Sequence, residues 1–152
     1  MEEELIVISD LHLSDGYDKN TYKYSRNEDF FFDEEFKRFL EYLQEENSHK
    51  KHLIIAGDMF DFLQVDPDGA KIDEYLEFLK KEREKESNSS GTDKCKQDVT
   101  KKERNYGLGT GKIKTVWKLG QIVNGHPEFF KALANFLSND NSLSIITGNH
   151  DI

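Results

Sequence analysis

Three short segments of this 152-residue chain concentrate metal-type ligands: Ser9-Asp10-Leu11-His12, Gly57-Asp58-Met59-Phe60-Asp61 and Gly148-Asn149-His150-Asp151. None contains Lys or Arg. If the three meet in space, Asp10 and Asp58 face each other with no cation from their own motifs. Two carboxylates about 4 Å apart repel by roughly 4 kcal/mol at an effective dielectric near 20. Divalent cations relieve that repulsion, and mixed carboxylate, imidazole and amide ligation suits Mn²⁺, Fe, Zn²⁺ or Mg²⁺. The same cations turn an acidic cluster into a site for phosphate. Each segment alone also admits a plainer reading: a strand-end Asx turn with a capping histidine for Asp10 and His12, and ordinary turns for Gly57-Asp58 and Gly148-Asn149.

The elements before these segments decide whether they meet. Short apolar runs rich in β-branched residues predict strands over residues 5–9, 53–57 and 143–148, each ending at one motif. Phe32, Phe36, Phe39, Leu40 and Leu43 recur at helical spacing over residues 32–46, and Ile72, Tyr75, Leu76 and Leu79 over residues 72–86. A further helix runs through Ile113, Val116, Trp117 and Ile122 and stops near Asn124-Gly125, after which Pro127 suits the first position of another. Strands alternating with helices predict an α/β fold with a mainly parallel sheet, in which ligands gather at the carboxyl ends of the strands. Asp10, His12, Asp58 and Asn149 would converge there.

The intervening stretches are less regular. Residues 87–112 have little apolar content and no period, and read as a flexible insertion in one domain spanning residues 1–152. Their Gly-rich end lacks the phosphate-loop pattern, because Tyr106 stands where the first Gly belongs and no strand precedes it. Residues 16–29 form a polar, aromatic loop leaving the first motif, in which Arg26 or Asn27 could touch a phosphate. Phe30-Phe31-Phe32 reads as helix-entry or core packing, and His49, His52 and His126 as surface or capping residues.

Composition narrows the function. Formal net charge is −9, with −11 over residues 1–70 and +2 over residues 71–152, so no large basic excess marks a nucleic-acid binder, and nucleic acid is not the expected partner. No apolar run approaches the length of a membrane span. The acidic N-terminus is no secretory signal and the single Cys95 has no internal disulfide partner, which together point to a reducing, cytoplasmic setting.

Taken in order after their strands, the motifs D-x-H, G-D-x-x-D and G-N-H-[DE] resemble those of the calcineurin-like metallophosphoesterase family. The resemblance covers essentially this whole chain but only the N-terminal half of the family's domain. It implies an α/β/β/α sandwich of which this chain supplies a truncated part, and two divalent metal ions, Mn²⁺ preferred. It implies Asp10 and His12 on the first metal, Asp58 bridging, and Asn149 on the second. His150 would face the substrate as the acid for the leaving group, Asp151 would orient it, and Asp61 would stand behind the ligands. The implied activity is hydrolysis of a phosphomonoester, phosphodiester or pyrophosphate by water activated between the metals. A later histidine and a G-H-x-H motif, which the family uses to complete both metal shells, do not occur here. The chain is therefore expected to be an N-terminal fragment with impaired or no activity by itself, and to self-associate through sheet surface left bare. The alternative is a non-catalytic module that binds metal or a partner.

Overall fold

A computed structural model describes residues 3–45, 49–66, 69–86 and 99–151. The elements run β1 (Glu3–Ile8), β2 (Tyr17–Asp18), β3 (Lys23–Tyr24), α1 (Asp33–Glu45), β4 (Lys50–Ala56), α2 (Ile72–Glu86), α3 (Lys101–Tyr106), α4 (Lys112–Gly125), α5 (Pro127–Ser138) and β5 (Ser142–Ile146). Strands β1, β4 and β5 form a parallel sheet in the order β1-β4-β5, with Ile6 opposite Leu53 and Leu53 opposite Leu143. The expected α/β class, with parallel strands flanked by helices, is the class observed.

Alternation along the strands sorts the sheet into two faces. Ile6, Ile8, Leu53, Ile55 and Leu143 join the core. The opposite face carries Leu5, Val7 and Ile146, all more than half exposed, and a hydrogen bond of 2.8 Å between His52 Nε2 and Ser144 Oγ. Helix α1 buries Phe36, Leu40 and Leu43, and α5 buries Phe129, Ala132, Leu133 and Phe136. The two helices meet where Phe36 stacks on Phe129 with ring centroids 4.1 Å apart. On the other flank Tyr75 of α2 meets Trp117 of α4 edge-on at 5.6 Å. No helix among the described residues is long and apolar enough to cross a membrane.

Four local expectations are met only in part. Of the supposed flexible insertion, residues 87–98 lie outside the described residues, but 101–106 form helix α3 and Leu108 is buried. The cause is a capping box: Thr100 Oγ1 accepts from the Glu103 amide at 3.2 Å, while the Thr100 amide donates back to Glu103 at 2.9 Å. Burial opposes the Glu103 charge, but Lys114 and the amides of Thr100 and Gly109 outweigh it and hold that carboxyl at about 2. Second, the loop at residues 16–29 contains a small antiparallel hairpin, β2 with β3. Third, of the three consecutive phenylalanines Phe30 packs in the core and Phe32 stands at the entry of α1, as expected, whereas Phe31 is exposed.

Fourth, His126 does cap a helix end, its amide donating to Ile122 O at the close of α4 and its carbonyl accepting from Phe130 in α5, but it is fully buried rather than superficial. Its Nε2 donates to Glu28 at 3.2 Å and its Nδ1 to Asp33 at 2.8 Å. Glu28, itself buried, also accepts from Ser14 Oγ at 2.8 Å and from the amides of Gly16 at 2.6 Å and Phe30 at 2.9 Å. Burial disfavours the charged imidazole, yet the hydrogen bonds to Asp33 and Glu28 prevail and raise its pKa to about 9. One buried imidazolium thus ties the segment after β1 to the α4–α5 junction.

Candidate metal centre

Backbone pairing between β1 and β4 does not stop at the strand ends. The Asp10 amide donates to Gly57 O at 3.2 Å, that of His12 to Asp58 O at 2.9 Å, and that of Leu13 to Met59 O at 3.0 Å. The Asp61 amide returns a bond to Leu13 O at 2.9 Å. The first and second motifs are therefore zipped side by side, and their side chains have little freedom to separate. Asp10, His12 and Asp58 all adopt left-handed backbone, with φ of 57°, 52° and 49°. Such conformations cost a non-glycine residue of order 1–3 kcal/mol and collect at functional sites. Three in two neighbouring loops mark this point of the fold.

The third motif docks onto the second. The His150 amide donates to Asp58 Oδ1 at 2.9 Å, and Gly148 lies so close that a Cβ there would stand 2.1 Å from the same oxygen. Only glycine fits, which gives the G-N-H-D motif its first letter a steric reason. Asn149 lies exposed on the loop between these two contacts.

Side-chain ligand atoms gather in two overlapping groups: Asp10, His12 and Asp58 lie within 4.8 Å of one another, and so do His12, Asp61 and His150. His12 belongs to both. Asp61 is buried at the join, with Oδ1 accepting the amides of Leu63 at 3.1 Å and Gln64 at 3.2 Å. Its Oδ2 accepts from His150 Nδ1 at 3.0 Å and sits 3.8 Å from His12 Nδ1. The two imidazoles meet edge to face, centroids 4.8 Å apart.

The carboxylate on His150 is thus Asp61, whereas the expected orienting residue was Asp151. Asp151 instead accepts the amides of Phe60 and Gly148, each at 2.7 Å, and so clamps the second and third motifs together through backbone. The spacing G-D-x-x-D was the available sign: the second Asp lies three residues beyond the first, on the same loop. Sequence reasoning also missed Lys118 of α4, which is 2% exposed. Its Nζ donates to Phe62 O at 2.7 Å, and burial lowers its pKa while Asp15, Asp66 and Asp61 work to raise it. A cation absent from the three motifs is supplied from beneath them. Nothing in the spacing of the lysines announces it.

Arg26 and Asn27 do not join the centre. They line a separate cavity of about 460 Å³ with Asp15 and Lys71, and Asn27 Nδ2 donates to Gln64 Oε1 at 2.8 Å. His49 is exposed and His52 lies on the outer face of the sheet. Comparison of this chain with protein-family models, with curated proteins and with solved structures returns no match.

Proposed function

We propose that this chain carries the metal-binding part of a phosphoester hydrolase, the N-terminal portion of a metallophosphoesterase-type α/β/β/α sandwich. The observation that carries the reading is the gathering of Asp10, His12 and Asp58 within 4.8 Å at adjacent strand ends. Two carboxylates and an imidazole form a donor set for hard or borderline divalent ions, and no Lys or Arg of the motifs competes for them. Asp10, His12 and Asp58, with Asn149 from the third loop, would hold two such ions, Mn²⁺ being the preferred metal.

Bound cations of this kind bring the pKa of a coordinated water toward neutrality and neutralise charge on phosphoryl oxygens. The chain's own residues do the rest. His150 keeps its Nδ1 proton on Asp61, which leaves Nε2 as the ring position facing a leaving alcohol. The doubly protonated ring would hand its Nε2 proton to the leaving oxygen and return as the neutral Nδ1–H tautomer, an effect typically worth about 10²- to 10⁴-fold. The Asp61 carboxylate fixes the tautomer and orientation of that ring.

Calorimetric titration with Mn²⁺ tests the reading. The 152-residue chain is expected to bind saturably, and Asp58→Asn to weaken binding by at least about tenfold. Hydrolysis of an aryl phosphate with Mn²⁺, however slow, is expected to vanish in His150→Ala. No saturable binding overturns the metal reading, binding without hydrolysis favours the non-catalytic module, and hydrolysis indifferent to His150 overturns the acid role given to that residue.

A further inference from the structure

The overall charge of −9 conceals a local reversal. Residues 80–86 and 99–118 together hold 10 Lys+Arg and 4 Asp+Glu, net +6, while all other residues hold 11 and 26, net −15. Splitting the chain into halves hides this, because the basic stretch shares its half with acidic neighbours.

The fold brings three of these cations together on one flank. Lys80 and Arg83 of α2 and Arg104 of α3 line a single cavity of about 510 Å³, with Leu76, Leu79 and Val99 as its apolar lining and Glu84 as its acid. Lys81, Lys101, Lys102 and Lys112 are exposed on the same three helices, and none makes an ion pair among the described residues. Glu103 and Glu82 are already engaged by Lys114 and Lys85. At the end of α3, two residues after Arg104, Tyr106 is 73% exposed, and it is followed by the exposed Gly109 and Thr110.

We propose that this α2–α3–α4 flank binds single-stranded nucleic acid, with Lys80, Lys101, Lys102, Arg104 and Lys112 along the phosphates and Tyr106 stacked on a base. Unpaired cations supply a sequence-independent attraction to a polyphosphate. An exposed ring adds stacking that only an unpaired base can accept, since bases in a duplex are already stacked. An anionic membrane would call for several apolar residues to insert beside the cations; α3 exposes Tyr106 alone, and because α4 also exposes Val116, Leu119 and Val123, the vesicle arm of the test separates the two. The binding goes beyond the hydrolase reading and does not depend on it.

Fluorescence anisotropy of a labelled oligothymidylate about 15 nucleotides long, in excess chelator so that the metal centre plays no part, tests the proposal. The full chain is expected to bind at low salt, with affinity falling as salt rises. The triple variant Lys101→Glu, Lys102→Glu, Arg104→Glu is expected to bind at least about tenfold more weakly, with the logarithmic salt slope flatter by roughly 0.7 per cation removed. Tyr106→Ala is expected to lose roughly fivefold or more with the slope unchanged. If the triple variant fails to fold, Lys112→Glu on a different helix tests the same expectation. A flat titration of the parent chain, an affinity indifferent to charge reversal or to loss of the ring, or tighter capture by phosphatidylserine vesicles than by the oligonucleotide overturns the proposal.

Discussion

At the scale of single residues, the centre divides its carboxylates by what they touch. Asp61 holds an imidazole on one oxygen and two backbone amides on the other, which an Asn side chain can still accept, whereas Asp151 holds two backbone amides alone. Their substitutions should therefore fail differently. Asp61→Asn is expected to keep the fold and lower aryl-phosphate turnover or Mn²⁺ affinity by about 10- to 100-fold, because the amide no longer fixes the His150 tautomer. Asp151→Ala strips partners from Phe60 and Gly148 and is expected to cost about 1–3 kcal/mol of stability, read from urea unfolding. Equal effects of the two on stability would contradict this division. The residue types were legible before the fold, because polar residues after short apolar strands fall at one sheet edge whatever their distance in sequence. The pairing of carboxylate with histidine was not. Asp151 is the sequence neighbour of His150, but a neighbour one residue away points elsewhere, and although Asp and His favour left-handed backbone, residue type alone does not say that Asp10, His12 and Asp58 adopt it.

At the scale of elements, the loops are held by close backbone approach as much as by side chains. Gly125 ends α4 against the segment after β1, so that a Cβ at this position would stand 1.9 Å from the Asp15 carbonyl oxygen. Gly120, five residues earlier, would meet nothing within 4 Å. Gly125→Ala is expected to destabilise by about 3 kcal/mol or more through forced backbone displacement. Gly120→Ala is expected to stabilise by up to about 1 kcal/mol through helix propensity. Thermal or urea unfolding of the pair checks both signs. Helices with an apolar stripe were readable to within a residue or two, as α2 shows. Helix α3 escaped because it buries none of its own residues and stands on its capping box. The Thr100-x-x-Glu103 pattern was present in the sequence, but a capping signature without an apolar run after it carries little weight.

At the scale of the molecule, one buried ion group sets a pH dependence. His126 has a folded-state pKa of about 9 against an ordinary 6.5, so its contribution is complete below about 6.5 and is lost as pH rises through about 9. The loss is on the order of 3 kcal/mol, and a urea midpoint falling across that window is the expected observation. A His126→Gln variant should lack the slope. The alternation of strands and helices made the α/β architecture legible, whereas the burial of His126 was not, because Glu28 and Asp33 reach it from 98 and 93 residues away. Long separations govern the sheet as well. β4 pairs with β1 and with β5, and the latter partner lies some 90 residues along the chain, as the contact of Lys51 with Asn141 records. Chain entropy makes such pairings slow to form, so refolding should take milliseconds to seconds. His150 reaches Asp58 only through β5. A half-folded chain would consequently hold Asp10, His12 and Asp58 without the third loop, and assembly of the complete pocket becomes a kinetic marker of the last strand finding its place.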